Sequence, residues 1–174
     1  CEPHGVAQTV STLVTGANGY LGSALCSRAA SNGLPVRACV RTAIEISPGT
    51  AGKIAVGAVD GATDWAPALH GCTTVMHLAA RVHVMAERAS NPLVEFRRVN
   101  VDGTLNLARQ AVAAGVRRFV FVSSVKVNGE STATDHAFSA ADAPAPQDPY
   151  GISKMEAEQG LRDIAAETGM EVVV

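Results

Sequence analysis

"VTGANGYLGSAL", residues 14–25, joins an apolar, β-branched run to a segment with helical periodicity. Its glycines fall at 16, 19 and 22, in the spacing T-G-x-x-G-x-x-G. A glycine triplet alone is a weak signal. One that follows a strand and opens a helix stands where a dinucleotide-binding turn requires it. Gly16 permits the tight turn, Gly19 lets the backbone approach a pyrophosphate, and Gly22 lets the helix pack close to the sheet. The free amides near Tyr20 and Leu21 then point at the phosphates, with the helix dipole favouring the anion.

Outward from this turn, short apolar runs alternate with longer amphipathic ones. Strands are expected at 9–15, 35–41, 53–59, 73–79, 117–124 and 170–174. Helices are expected at 21–33, 65–71 and 91–116, and around Tyr150. Asn91 is placed to cap the long helix, Pro92 suits its first turn and Gly115 ends it. Strands alternating with helices imply a parallel sheet with right-handed crossovers. Strands one, four and five are apolar nearly throughout, as interior strands covered on both faces should be. No repeat or linker divides the chain, so residues 1–174 read as a single dinucleotide-binding domain, cut short in its sixth strand at "EVVV".

The net charge of −2 gives no electrostatic footprint for nucleic acid or an anionic membrane. No apolar run approaches the roughly 20 residues of a membrane span, and the first residues do not read as a signal peptide. Cys1, Cys26, Cys39 and Cys72 form no C-x-x-C pair and suit a reducing cytosol, so a cytoplasmic location is expected. His4, His70, His77, His83 and His136 match no common zinc spacing, and no metal site is expected.

"DPYGISKMEAE", residues 148–158, brings a phenol and an ammonium together, either as an ordinary polar pair on a surface helix or as an acid–base pair. On a helix, Tyr150 and Lys154 lie one turn apart on one face. An ammonium beside a phenol lowers its pKa and lets it move protons near neutral pH. Leu78 and Ala79 follow strand four, so they pass close to a cofactor held at the carboxyl edge of the sheet.

Taken together, "TGANGYLG", "HLAA" (77–80), "NVDGT" (100–104), "VSSVKVNGE" (122–130) and "YGISK" (150–154) resemble, in order, the extended short-chain dehydrogenase/reductases, in particular the nucleotide-sugar epimerases and dehydratases. The resemblance covers residues 10–174. It implies a Rossmann-type doubly wound parallel sheet, order 3-2-1-4-5-6, with helices on both faces, and a C-terminal substrate domain that this chain lacks. It makes Tyr150 the proton-transfer residue. Lys154 supports it and bonds the nicotinamide ribose, and Ser124, chosen over its neighbour Ser123, bonds the substrate oxygen. Asn100 matches a position near the nicotinamide. Arg81 and His83 follow "HLAA" closely and are read either as reaching cofactor or substrate or as solvated loop residues. The family also implies a nucleotide-sugar substrate and a homodimer through helices 92–114 and 150–168.

The chain departs from the family pattern at three places. NAD-preferring members carry an acid at the end of strand two, whereas "VRACVRT" (36–42) has Val40 and Arg41 there. An arginine can pair with a 2′-phosphate, which tilts the expectation from NAD towards NADP. Where an aspartate usually contacts adenine stand Ala58 and Val59, leaving Val59 to touch the ring through its backbone. Dehydratases place Asp and Glu where this chain has Val125 and Lys126, which argues against loss of water. The expected activity is 4-epimerisation of a UDP-hexose or UDP-N-acetylhexosamine by transient oxidation at C4. The alternatives are NADPH-dependent reduction of a 4-keto nucleotide sugar and a non-catalytic dinucleotide sensor.

Overall fold

The computed structural model describes residues 12–42, 50, 52–82, 91–132, 134–135 and 137–174. The first residues of the expected strand 9–15, together with Cys1, His4, His83 and His136, lie outside the described residues.

Six strands pair in parallel in the order β3-β2-β1-β4-β5-β6. They are β1 (Thr12–Thr15), β2 (Val36–Val40), β3 (Gly52–Ala55), β4 (Thr74–His77), β5 (Arg118–Phe121) and β6 (Glu171–Val173). This is the order expected from the sequence. The reversal falls between β1 and β4, and ligands of such sheets bind in the crevice beyond the strand ends at that point.

Alternate residues along each strand face opposite layers. Leu13, Cys39, Val75, Phe119 and Phe121 pack on one side against Leu107, Ala108, Ala111, Ala157 and Leu161. Those residues belong to α4 (Gly103–Ala113) and α5 (Pro149–Thr168); Trp65, Ala68 and Leu69, at the short helix α2 (Ala66–Leu69), complete this larger core. On the other side, Val14, Val36, Ala38 and Val40 meet Cys26 and Ala29 of α1 (Tyr20–Ser31). β1 is buried on both faces, as expected of an interior strand. β4 and β5 are not: Met76 and Val120 are half-buried among the described residues, because α1 covers only the β1–β2 half of its layer.

The expected long helix over 91–116 is broken into parts. α3 (Pro92–Arg97) is capped by Asn91, whose side chain accepts from Val94 N–H at 3.4 Å. The backbone then widens into a π-helical turn, Arg98–Asp102, before α4 resumes the ordinary pitch. Buried Phe96, Asn100 and Thr104 are each four residues apart, a spacing a regular helix would gradually turn out of line. The wider turn keeps all three facing inward. α5 starts at Asp148, which accepts from Gly151 N–H at 2.6 Å, and ends at Gly169 in the left-handed region.

Candidate active site

Beyond the carboxyl ends of the strands lies a cleft of about 580 Å³. Gly16, Gly19, Tyr20, Leu21, Gly22, Arg41, Val59, Leu78 and Ala79 all line it, so the structure gathers these nine sequence candidates around one space. Gly16 has φ +64°, and a Cβ there would stand 2.8 Å from Ala79 N. A Cβ on Gly22 would meet Gly16 O at 2.1 Å, so the close approach made possible at 22 is to the turn itself rather than to the sheet. A Cβ on Gly19 meets only Gly16 O, at 3.2 Å, leaving its outer side open to a ligand. α1 begins without a side-chain cap and without an acid in its first turn, so an anion can take that place. This open-sided glycine beside an uncapped helix start fits the diphosphate of a dinucleotide.

The cleft wall is held by a buried polar chain. Thr15 Oγ1 accepts from the amides of Leu78 (3.1 Å) and Ala79 (3.2 Å) and donates its own proton to His77 Nδ1 at 2.7 Å. That leaves Nε2–H to donate to Thr104 Oγ1 at 3.0 Å. Burial, helped by the charge of Lys154, pushes the His77 pKa down to about 3, so the imidazole is neutral. The histidine therefore joins β1, β4 and α4 and holds Leu78 and Ala79 in place.

Asn100 lies outside the residues that line the cleft. It is buried in the π turn, where Oδ1 accepts from Arg81 N–H (2.8 Å) while Nδ2 donates to Arg81 O (3.0 Å) and Ser153 Oγ (2.9 Å). It thus clamps the loop after β4 to α5. Arg81 lines the cleft, its guanidinium 5.4 Å from the Phe96 ring centre. Tyr150 packs edge-on to the same ring at 6.2 Å. Ser124, Tyr150 and Lys154 do not line the cleft; Tyr150 is one ring beyond its Arg81 wall. Phe96 is the residue that sequence reading missed, and its inward position in the Phe96–Asn100–Thr104 series was the available signal.

Lys154 is 2% exposed. Its Nζ donates to Val122 O at 2.7 Å and stands 3.7 Å over the Phe121 ring, whose other neighbour is the stacked imidazole of His77. Burial pushes the Lys154 pKa down to about 7, against the opposing pull of the Glu158 carboxylate. Ser124 Oγ accepts from Lys126 N–H at 3.2 Å and caps a 3₁₀ turn at Val125–Val127. Lys126 is tied to Glu130 and, at 3.1 Å, to Asp148, so it braces the start of α5.

The NAD-dependent epimerase/dehydratase family model matches residues 12–174. The chain belongs to this family. A UDP-glucose 4-epimerase of Vibrio cholerae is 42% identical over 165 residues, 94% of this chain and 50% of that protein. A dihydroflavonol 4-reductase of Zea mays is 29% identical over 97% of the chain and 52% of its own length. The structure of MoeE5 in complex with UDP-glucuronic acid and NAD superposes with a TM-score of 0.79 at 33% identity, over 93% of this chain and 52% of that one. The chain thus spans about half the length of the relatives it matches in this NAD-dependent epimerase/dehydratase family. No described helix is long and apolar enough to cross a membrane. No group of three or more metal-ligating side chains occurs among the described residues.

Proposed function

We propose that residues 12–174 form the dinucleotide-binding part of a nucleotide-sugar 4-epimerase acting on a UDP-hexose or UDP-N-acetylhexosamine. The observation that carries this reading is that α5 places Tyr150 one ring beyond a glycine-turned cleft and, one turn on, anchors Lys154 to Val122 O at the exit of β5. Gly16, Gly19, Gly22 and the start of α1 would hold the diphosphate, and Lys154 the nicotinamide ribose. When bound, the dinucleotide supplies reversible redox chemistry at the sugar carbon. Tyr150 Oη moves the hydroxyl proton at that carbon, with the charge of Lys154 one turn away, and Ser124 Oγ donates to the oxygen. The Vibrio cholerae relative, at 42% identity, supports epimerisation. Val125 and Lys126 offer no carboxylate for dehydration, and Lys126 is already engaged in bracing α5.

A second reading, NADPH-dependent reduction of a 4-keto nucleotide sugar, draws support from Arg41 on the cleft rim and from the reductase relative. The lean towards NADP rests on Arg41. A homodimer through α3, α4 and α5 belongs to the same proposal and is consistent with the exposure of Val94.

The test uses the full-length enzyme. Cofactor retained through purification, with conversion of UDP-glucose or UDP-N-acetylglucosamine to the 4-epimer, is the expected result. Tyr150→Phe should lower turnover by about 10²- to 10⁴-fold with cofactor affinity nearly unchanged. Net consumption of NADPH on a 4-keto sugar would favour the reductase, and full activity in the Phe variant would remove Tyr150 from the mechanism.

A further inference from the structure

Glu158 is a buried carboxylate, 6% exposed, that the proposed reaction does not use. It lies one turn beyond Lys154 on α5, so Tyr150, Lys154 and Glu158 form an i, i+4, i+8 stripe. Opposite them runs the segment that leaves β5. Lys154 Nζ holds the carbonyl of Val122 at 2.7 Å, and Glu158 Oε1 accepts from Ser123 Oγ at 2.5 Å. Two consecutive residues are thus pinned to two positions a single helical turn apart. The next residue in the chain is Ser124.

Burying a carboxylate is costly unless it is bonded. Arg162 holds the second oxygen of Glu158 at 2.8 Å from a half-exposed position. An ion pair with Arg162 alone could be made at the surface, where such pairs contribute little. Ser123 is what the buried oxygen reaches.

We propose that Glu158 is a positioning residue: through Ser123 it fixes the end of β5, and with it Ser124, against the helix that carries Tyr150. The consequence for turnover rests on the epimerase reading; the consequence for the backbone does not. Displacing a reacting group by about 1 Å can cost a hundredfold in rate, so a lost anchor next to Ser124 acts on the chemical step rather than on cofactor binding.

The test compares Glu158→Ala, Ser123→Ala, the double variant and Glu158→Gln. In the full-length enzyme each alanine variant should lower kcat by about tenfold, with KM and the NAD dissociation constant changed by less than about twofold. The double variant should lose no more than either single one, because both remove the same bond. Gln can still accept from Ser123 Oγ and should restore kcat to within about threefold of the starting enzyme. An unchanged kcat, an additive double loss or a Gln variant as poor as Ala would overturn the proposal. Amide hydrogen exchange on the full-length protein needs neither substrate nor turnover. The two alanine variants should speed exchange across 122–127 by about threefold or more and leave β1 and β2 unchanged, with Gln again restoring protection. Unaltered exchange there overturns the link even if no nucleotide sugar is turned over. Altered exchange in a protein that turns none over sustains the link and refutes the epimerase reading.

Discussion

His77 holds a wall of the cleft without lining the cleft itself. Its folded pKa, about 3, lies below the ordinary 6.5. Between those values the unfolded chain takes up a proton that the folded chain refuses, so this group's contribution to stability falls as pH drops from 6.5 towards 3. His77→Gln should cost about 1–3 kcal/mol near neutral pH, by disturbing the bonds to Thr15 and Thr104, and should flatten the loss of stability on acidification. Urea midpoints at about pH 7 and about pH 5 measure both effects. Arg41 is a different case, exposed on the cleft rim with no charge opposite it in the described contacts. Arg41→Asp should move the ratio of NADP to NAD affinity towards NAD by at least about tenfold, read by fluorescence titration; an unchanged ratio would mean that Arg41 does not read the 2′ position. At this scale the sequence marked the candidates, since Tyr150, Lys154 and the glycines stand out by type and spacing. It did not show the partners of Asn100 or the bond between Ser123 and Glu158, because those bonds span 19 to 53 positions and exist only once the layers have packed.

Helices and strands were legible where one period ran unbroken. The cap at Asn91 stands where it was expected, and α4 closes just ahead of Gly115. The π turn was hidden, because apolar periodicity reports which face is buried and not how tightly the backbone is wound. Close contact between elements was hidden as well. A Cβ on Gly151 would stand 2.7 Å from Lys126 O and 3.1 Å from Pro146 Cβ. The three atoms nearest a Cβ on Gly160 all belong to the side chain of Leu105, the first also at 2.7 Å. Alanine gains about 1 kcal/mol in helix propensity at either position. Gly151→Ala should nevertheless destabilise by about 1–3 kcal/mol, since a backbone carbonyl cannot turn aside. Gly160→Ala should lie near zero, within about 1 kcal/mol, as Leu105 changes rotamer. Thermal and urea denaturation of the two variants side by side decides between rigid and yielding contacts.

For the molecule as a whole, alternation of strand and helix was enough to give a parallel sheet, and the glycine turn ahead of the first helix fixed where its crevice would open. Coverage was misjudged for β4 and β5: an apolar strand reads the same whether one face or both are packed, and Met76 and Val120 are only half-covered here. The cleft was anticipated; Ser124, Tyr150 and Lys154 fall outside its lining, and the aromatic wall formed by Phe96 between Arg81 and Tyr150 was not foreseen. That wall depends on the wide turn at 98–102. Each residue of a helix advances the next by about 100°, so removing one residue there would restore regular winding and swing Phe96 away from both Arg81 and Tyr150. Point changes elsewhere adjust what the crevice holds. A single-codon deletion or insertion in this turn would re-aim that wall while leaving Gly16, Ser124, Tyr150 and Lys154 in the chain, so chain length at one spot is a coarse dial on the shape of the crevice.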